Sequence, residues 1–156
     1  MKELLCVHEF HTFICDIKRV FGSIAFYRSI NIKRIGYVAS EITKNGGIAI
    51  CAPIAPYEKD RSYNRELISE VGGYVEIYVN TPLEKCEERD VKGLYALARK
   101  GKIKEFTGIS DPYEEPKNAE IIINSSGDSP EKLVDQIYDA ICERGYIAIN
   151  KSKEIE

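Results

Sequence analysis

Apolar residues recur at Ile32, Ile35, Val38, Ala39 and Ile42 within a polar stretch, a spacing that predicts a helix from Asn31 to Lys44. Asn45-Gly46-Gly47 ends it, because glycine takes a left-handed cap without a Cβ clash. The pattern then changes to an unbroken apolar run, Ile48-Ala49-Ile50-Cys51-Ala52-Pro53, which suits a strand covered on both faces. Tyr57 to Val71 is charged and helical in spacing, with Tyr63, Leu67 and Ile68 as its expected inner face. Gly72-Gly73 leads into a β-rich strand, Tyr74–Val79. Thr81-Pro82 opens a further helix, with threonine as cap and proline in the first turn. A basic segment runs from Val91 to Lys104, and a turn-rich stretch from Phe106 to Pro116. Ile121–Ile123 is a third short buried strand, Ser129-Pro130 starts an amphipathic helix reaching about Arg144, and the tail from Asn150 is polar.

Strand and helix alternate along this part, so the fold class is α/β with a parallel sheet. Composition narrows the picture. The chain has 156 residues, 44% apolar and 30% charged, as in a globular protein. A formal net charge of −3 speaks against a general nucleic-acid binder. No run approaches the roughly 18 apolar residues of a membrane span, and the first residues are too polar for a signal peptide. Five cysteines without framework spacing suit reduced thiols, and the expected localisation is cytoplasmic.

Two clusters carry candidate chemistry. Arg89-Asp90-Val91-Lys92-Gly93-Leu94-Tyr95, continuing through Ala98-Arg99 to Glu105-Phe106-Thr107-Gly108, gathers cations and aromatics in a segment of little apolar periodicity. Arginine and lysine hold phosphate or sulfate oxygens, and an aromatic face stacks on a purine. On composition alone, a solvated basic helix explains the same residues. The other cluster, Arg28-x-x-Asn31-Ile32-x-Arg34-Ile35-Gly36, reads by itself as an N-cap with surface cations ahead of a helix.

These segments resemble a known family. Arg28-x-x-Asn31-Ile32-Lys33-Arg34-Ile35-Gly36 resembles the R-x-x-N-I-x-R-I-G segment of adenylylsulfate kinases. Lys92-Gly93-Leu94-Tyr95-x3-Arg99-x-Gly101-x-Ile103-Lys104-x-Phe106-Thr107-Gly108-Ile109 is similar to their lid, and Asp111-Pro112-Tyr113-Glu114-x-Pro116 to the stretch after it. The likeness is strongest to kinase domains fused to ATP sulfurylase in bacteria and covers about Phe21 to Ile147. It implies a P-loop nucleotide-kinase-like three-layer fold. It also implies transfer of the γ-phosphoryl of Mg-ATP to the 3′-hydroxyl of adenylylsulfate, a step of sulfate assimilation. By motif position it implies that Arg28, Asn31, Ile54, Lys92 and Phe106 bind adenylylsulfate, with Phe106 against the adenine. Arg89 would lie beside the ATP adenine, and Gly93, Leu94, Tyr95, Arg99, Thr107 and Gly108 would form the lid. A second copy of the chain or an ATP sulfurylase is the implied protein partner.

The sequence departs from the family at its beginning. The glycine-rich G-x-S-G-x-G-K-S/T loop has no counterpart, since no glycine precedes Gly22. Glu9-Phe10-His11 and Ile14 stand where D-G-D-x-x-R is expected, and Phe21-Gly22-Ser23 where L-G-F is expected. Residues 1–20 are therefore read as a divergent segment, 21–147 as the kinase-like domain and 148–156 as a tail. The central strand before the loop is absent or replaced; Leu4–Val7 either serves as the family's second strand or fills that slot. ATP and Mg2+ are implied by the family alone, and stable binding of either is not expected. No catalytic residue is assigned. Cys6, His8, His11 and Cys15 are of types that suit zinc, but they crowd into ten positions, and no metal site is expected. The alternative function is a module that binds adenylylsulfate or its product without chemistry, or a remnant of the kinase.

Overall fold

The structure, a computed structural model, describes residues 3–7 and 24–147, with side chains from Phe26 onward. The elements run β1 (Glu3–Val7), α1 (Ile24–Lys44), β2 (Ala49–Cys51), α2 (Glu58–Ser69), β3 (Gly73–Val79), α3 (Leu83–Arg89), α4 (Leu94–Arg99), β4 (Ile121–Ile123) and α5 (Pro130–Glu143). The described strands form one parallel sheet in the order β2-β1-β3-β4. This is the α/β parallel arrangement that the alternating pattern implied.

The question left open at the amino terminus has a clear outcome. Leu4 pairs with Ala49 on one side and with Tyr74 on the other, so β1 lies between β2 and β3. It fills the central slot, and the inner edges of both neighbours find ladder partners. His8, His11 and Cys15, the replaced family positions between Glu9 and Ser23, and the tail from residue 148 lie outside the described residues.

Side chains on the two sheet faces meet different layers. Val75 and Ile77 of β3 and Ile121 and Ile123 of β4 pack against Leu133 and Ile141 of α5. On the other face, Tyr74 and Ala49 meet Ala39 of α1 and Ile68 of α2. Full burial of an aliphatic side chain such as Ile77 or Ile68 is worth about 1.5–3 kcal/mol. Close contact of α1 with α2 depends on Gly36, where a Cβ would stand 2.0 Å from Asn64 Oδ1.

Helix ends follow simple chemistry. Gly46 closes α1 at φ +83°, with the Gly47 N–H donating to the Ile42 carbonyl. The Ser129 hydroxyl accepts from the Lys132 N–H at the start of α5.

Several expectations need correction. α1 begins at Ile24, so Arg28 and Asn31 lie inside the helix, one turn apart, rather than ahead of it. The near-continuous apolar run around them hides the helical period. The strand expected over Ile48–Pro53 is only Ala49–Cys51, because it sits at the sheet edge and Pro53 has no N–H for a ladder. Among the described residues it is covered on one face: Ile50 is 69% exposed, since α5 packs against β3 and β4. Ile122 likewise faces outward between buried Ile121 and Ile123. Of the inner face expected for α2, Ile68 is buried, but Asp60, Arg61 and Asn64 turn inward in place of Tyr63 and Leu67. Thr81 does not cap α3; its hydroxyl is 2.6 Å from that of Ser125, and Pro82 holds the cap position. Among the described residues, no helix is long and apolar enough to cross a membrane.

Candidate functional site

In parallel α/β sheets, ligands bind in the crevice beyond the carboxyl ends of the strands. Here that edge carries the loops after β2 (residues 52–57), after β3 (80–82) and after β4 (124–129). The residues of the sequence motifs converge on these loops from three directions.

The centre of the site is Arg28 of α1. Its guanidinium pairs with the Asp111 carboxylate through Nη1 and donates through Nη2 to the Glu105 carbonyl, at 2.5 Å. The Tyr57 hydroxyl donates to the same Asp111 oxygen at 3.0 Å. Burial, then the Asp111 hydrogen bond and charge, pushes the Tyr57 phenol above its ordinary value, against the pull of Arg28. Three separate segments thus meet at one cation: α1, the loop after β2 and the turn around Phe106.

Phe106 is buried and sets its ring against Tyr95 edge to face, with centroids 5.0 Å apart. Its carbonyl accepts from the Ser110 and Asp111 amides, and its own N–H donates to the Ser110 hydroxyl. Gly108, at φ +84°, allows the tight turn between them. Thr107 forms an isolated bridge with Asp111, and its buried hydroxyl oxygen has no hydrogen-bond partner among the described residues.

The preceding helix is held by a cap. Gly93 takes the left-handed conformation at the start of α4, φ +66°, and the Asp90 carboxylate accepts from the Tyr95 and Ala96 amides, each at 3.0 Å. Leu94 is half-buried at the start of α4, and Arg99 at its other end pairs with Glu87 of α3. Lys92 is exposed on the approach to this helix.

Of the remaining expected residues, two belong to the segments that form this centre and one does not. Asn31 is exposed one turn beyond Arg28 on α1. Ile54, 37% exposed, is on the loop that brings Tyr57 to Asp111. Arg89 is not part of the Arg28 cluster; its guanidinium is anchored to the carbonyl and hydroxyl of Ser125.

Sequence reasoning missed a second group that braces the site from beneath. Arg61 is fully buried and donates to the Ala55 carbonyl at 2.9 Å and to the Glu114 carbonyl at 2.6 Å. It also pairs with Glu58 and, across 3.0 Å, with Glu76 of β3. The Arg61–Glu76 contact is misaligned as a hydrogen bond and acts through charge. Ala55, at φ +40°, occupies a conformation that disfavours a Cβ, and Arg61 holds its carbonyl there. Arg65 extends the network from Glu76 to Glu120. One sequence signal pointed to it: Glu76 interrupts an apolar strand, and a buried acid needs a buried cation.

The cationic groups suit a polyanion. Arg28, with exposed Asn31 and Lys92, carries side-chain types that hold phosphate or sulfate oxygens, while Phe106 is 8% exposed and packed against Tyr95. A separate hollow of about 410 Å3 is lined by Glu58, Glu114, Glu115, Pro116 and Lys117. Its three carboxylates make it unsuitable for such a ligand.

The family described as adenylylsulphate kinase matches residues 16–124. The adenylyl-sulfate kinase of Halothermothrix orenii is 47% identical over 120 residues, 77% of this chain and 63% of that protein. A sulfate adenylyltransferase of Aspergillus terreus is 44% identical over 132 residues, 84% of this chain but 23% of that protein. The chain therefore spans less than two thirds of the length of either relative. Among solved structures, the Mycobacterium tuberculosis APS kinase CysC in complex with AMPPNP and APS superposes with a TM-score of 0.70 at 30% identity. That match covers 90% of this chain and 79% of the other. Such identity on a shared fold has one reading: the chain belongs to the adenylylsulfate kinase family.

Proposed function

We propose that this chain binds adenylylsulfate at the carboxyl edge of its sheet, as the acceptor side of an ATP:adenylylsulfate 3′-phosphotransferase. The observation that carries the reading is the gathering of Arg28 with the Phe106 turn, residues 77 positions apart joined through the Glu105 carbonyl. In this reading Arg28 and Asn31 take the anionic phosphosulfate, Phe106 meets the adenine, and Lys92 closes over the ligand with the 93–108 lid. Ile54 packs from the loop after β2. Two similar proteins support it: one is an adenylyl-sulfate kinase, and the other is an APS kinase solved with AMPPNP and APS.

Toward ATP the fit is partial. Arg89 stands at the end of α3, where the family resemblance implies the ATP adenine. The given sequence holds no glycine-rich turn ending in Lys-Ser or Lys-Thr to cradle a triphosphate with its Mg2+. No step is derived through those groups. Phosphoryl transfer is mostly positioning and charge neutralisation, so binding and turnover are separable here and are measured separately. An ATP sulfurylase partner is part of the same proposal, supported by the likeness to the longer A. terreus sulfate adenylyltransferase.

Calorimetry with adenylylsulfate tests the reading. Wild-type protein is expected to bind, and Arg28→Ala to weaken binding about ten- to a hundredfold, the worth of one charge-assisted hydrogen bond. No heat at millimolar ligand would reject it. A parallel assay of phosphate transfer from Mg-ATP, with Lys92→Ala as control, assigns the chemistry. Binding without transfer above the control would make the chain a non-catalytic adenylylsulfate-binding module.

A further inference from the structure

Arg28 links α1 to the Phe106 turn and, through Asp111, to the loop after β2, and its charge is already matched. Asp111 neutralises Nη1, the Glu105 carbonyl takes Nη2, and Tyr57 adds a hydrogen bond to the same carboxylate oxygen. Both Arg28 and Asp111 are mostly covered, at 17% and 15% side-chain exposure, so water screens the pair only in part. The Asp111 backbone is built into the same turn. Its N–H donates to the Phe106 carbonyl at 3.0 Å, and its carbonyl accepts from the Gly108 N–H at 2.8 Å.

We propose that Asp111 is a specificity-determining residue: an internal counter-anion that occupies Arg28 in the free protein and must be exchanged for the anionic group of the ligand. The exchange has two consequences. A weakly basic or singly charged anion competes poorly with a carboxylate already in place, so the site selects a multiply charged phosphosulfate over simple anions. Taking Arg28 away from Asp111 and the Glu105 carbonyl also removes what ties the Phe106 turn to α1. Ligand binding and the position of Phe106 are therefore linked through one guanidinium.

The size of the effect follows from occupancy. A binding group engaged elsewhere nine-tenths of the time weakens apparent affinity about tenfold. Asp111→Asn keeps the shape of the side chain and removes its charge. It is expected to raise affinity for adenylylsulfate about tenfold. The sign is diagnostic, because a substitution that merely damages the fold, or removes a residue needed to orient Arg28, lowers affinity.

Two measurements test this on the full chain. Calorimetry with adenylylsulfate compares wild type with Asp111→Asn; unchanged or weaker binding by the variant overturns the proposal. Hydrogen exchange of the Phe106–Asp111 amides in the ligand-free protein is the second measurement. Exchange is expected to quicken about tenfold in both Asp111→Asn and Arg28→Met, and protection equal to wild type in either variant also overturns it. The first measurement rests on the adenylylsulfate reading and the second does not. If wild type fails to bind adenylylsulfate, that reading falls, and the exchange data alone decide whether Asp111 holds Arg28.

Discussion

The two faces of the sheet are built on different physics. Against α5, the β3 and β4 side chains Val75, Ile77, Ile121 and Ile123 form an apolar cluster with Leu133 and Ile141. Against α2, β3 presents Glu76, which meets Arg61 and Arg65, with Asp60 and Asn64 also buried on that helix. Apolar burial stabilises without fixing direction, whereas the guanidinium of Arg61 has fixed donors that must find fixed acceptors. Two of those acceptors, the Ala55 and Glu114 carbonyls, belong to the segments that deliver Ile54, Tyr57 and Asp111 to the site. One face supplies mainly stability; the other supplies stability and the placement of the site together.

The largest effect expected from this division is at Arg61. Its side chain is 1% exposed and that of Glu76 is 6% exposed, so Arg61→Met leaves a buried carboxylate with Arg65 as its remaining cation and the Ala55 and Glu114 carbonyls without their donor. Removing one partner of such a pair costs about 3–5 kcal/mol. Urea unfolding should show a loss of that size, and adenylylsulfate binding should weaken as well. The double variant Arg61→Met/Glu76→Met should recover much of the stability but not the binding, because the carbonyls of Ala55 and Glu114 still lack their donor. Recovery of both would break the comparison, since the network would then have no positioning role.

A smaller effect is expected on the opposite face. Ile77 is fully buried against α5, and Ile77→Val removes one methylene. The stability loss should be about 0.5–1.5 kcal/mol. Adenylylsulfate affinity should stay within twofold of wild type. Weaker binding by the valine variant, in protein that remains folded, would show that the two faces are not separable.

The same contrast explains what the sequence revealed. Parallel α/β order, the Gly46 stop and the Ser129 cap were legible, because each depends on residues within a few positions. The apolar face was legible for a related reason: Leu133 and Ile141, like Val75 and Ile77, follow the periods of their elements. The polar face was not. Charged residues on α2 are read outward by default, and only the isolated Glu76 signalled that Arg61 turns in. Nor could five residues, Glu3 to Val7, announce which strands they pair with, since that choice depends on β2 and β3 some 40 and 70 positions away. At the site, the motifs named Arg28 and Phe106, but not the Arg28–Asp111 pair, whose members are 83 positions apart. Tyr57 was missed for the same reason, 54 positions from the carboxylate that it contacts.

The smallest expected effect concerns pH and belongs to the outer end of the polar face. Partial burial tends to raise the Glu120 pKa, but hydrogen bonds and charge from Arg65, with the Glu76 amide, outweigh it and hold the carboxyl below its ordinary value. A carboxyl depressed in the folded state binds its proton more readily once the chain unfolds. Its contribution is therefore present above the unfolded value of about 4.3 and disappears as pH falls through the lower folded value. Because Glu120 and Arg65 are partly exposed, the change should stay within about 1 kcal/mol. Urea unfolding of wild type and Glu120→Gln at pH 7, 5, 4 and 3 should show the gap between them narrowing only below about pH 5. Other depressed carboxyls, such as Asp90 and Asp128, remain in both proteins, so the difference between the two curves isolates Glu120. A gap that stays constant to pH 3 would place no acid-sensitive charge coupling between Arg65 and β4, and the network would end at Glu76.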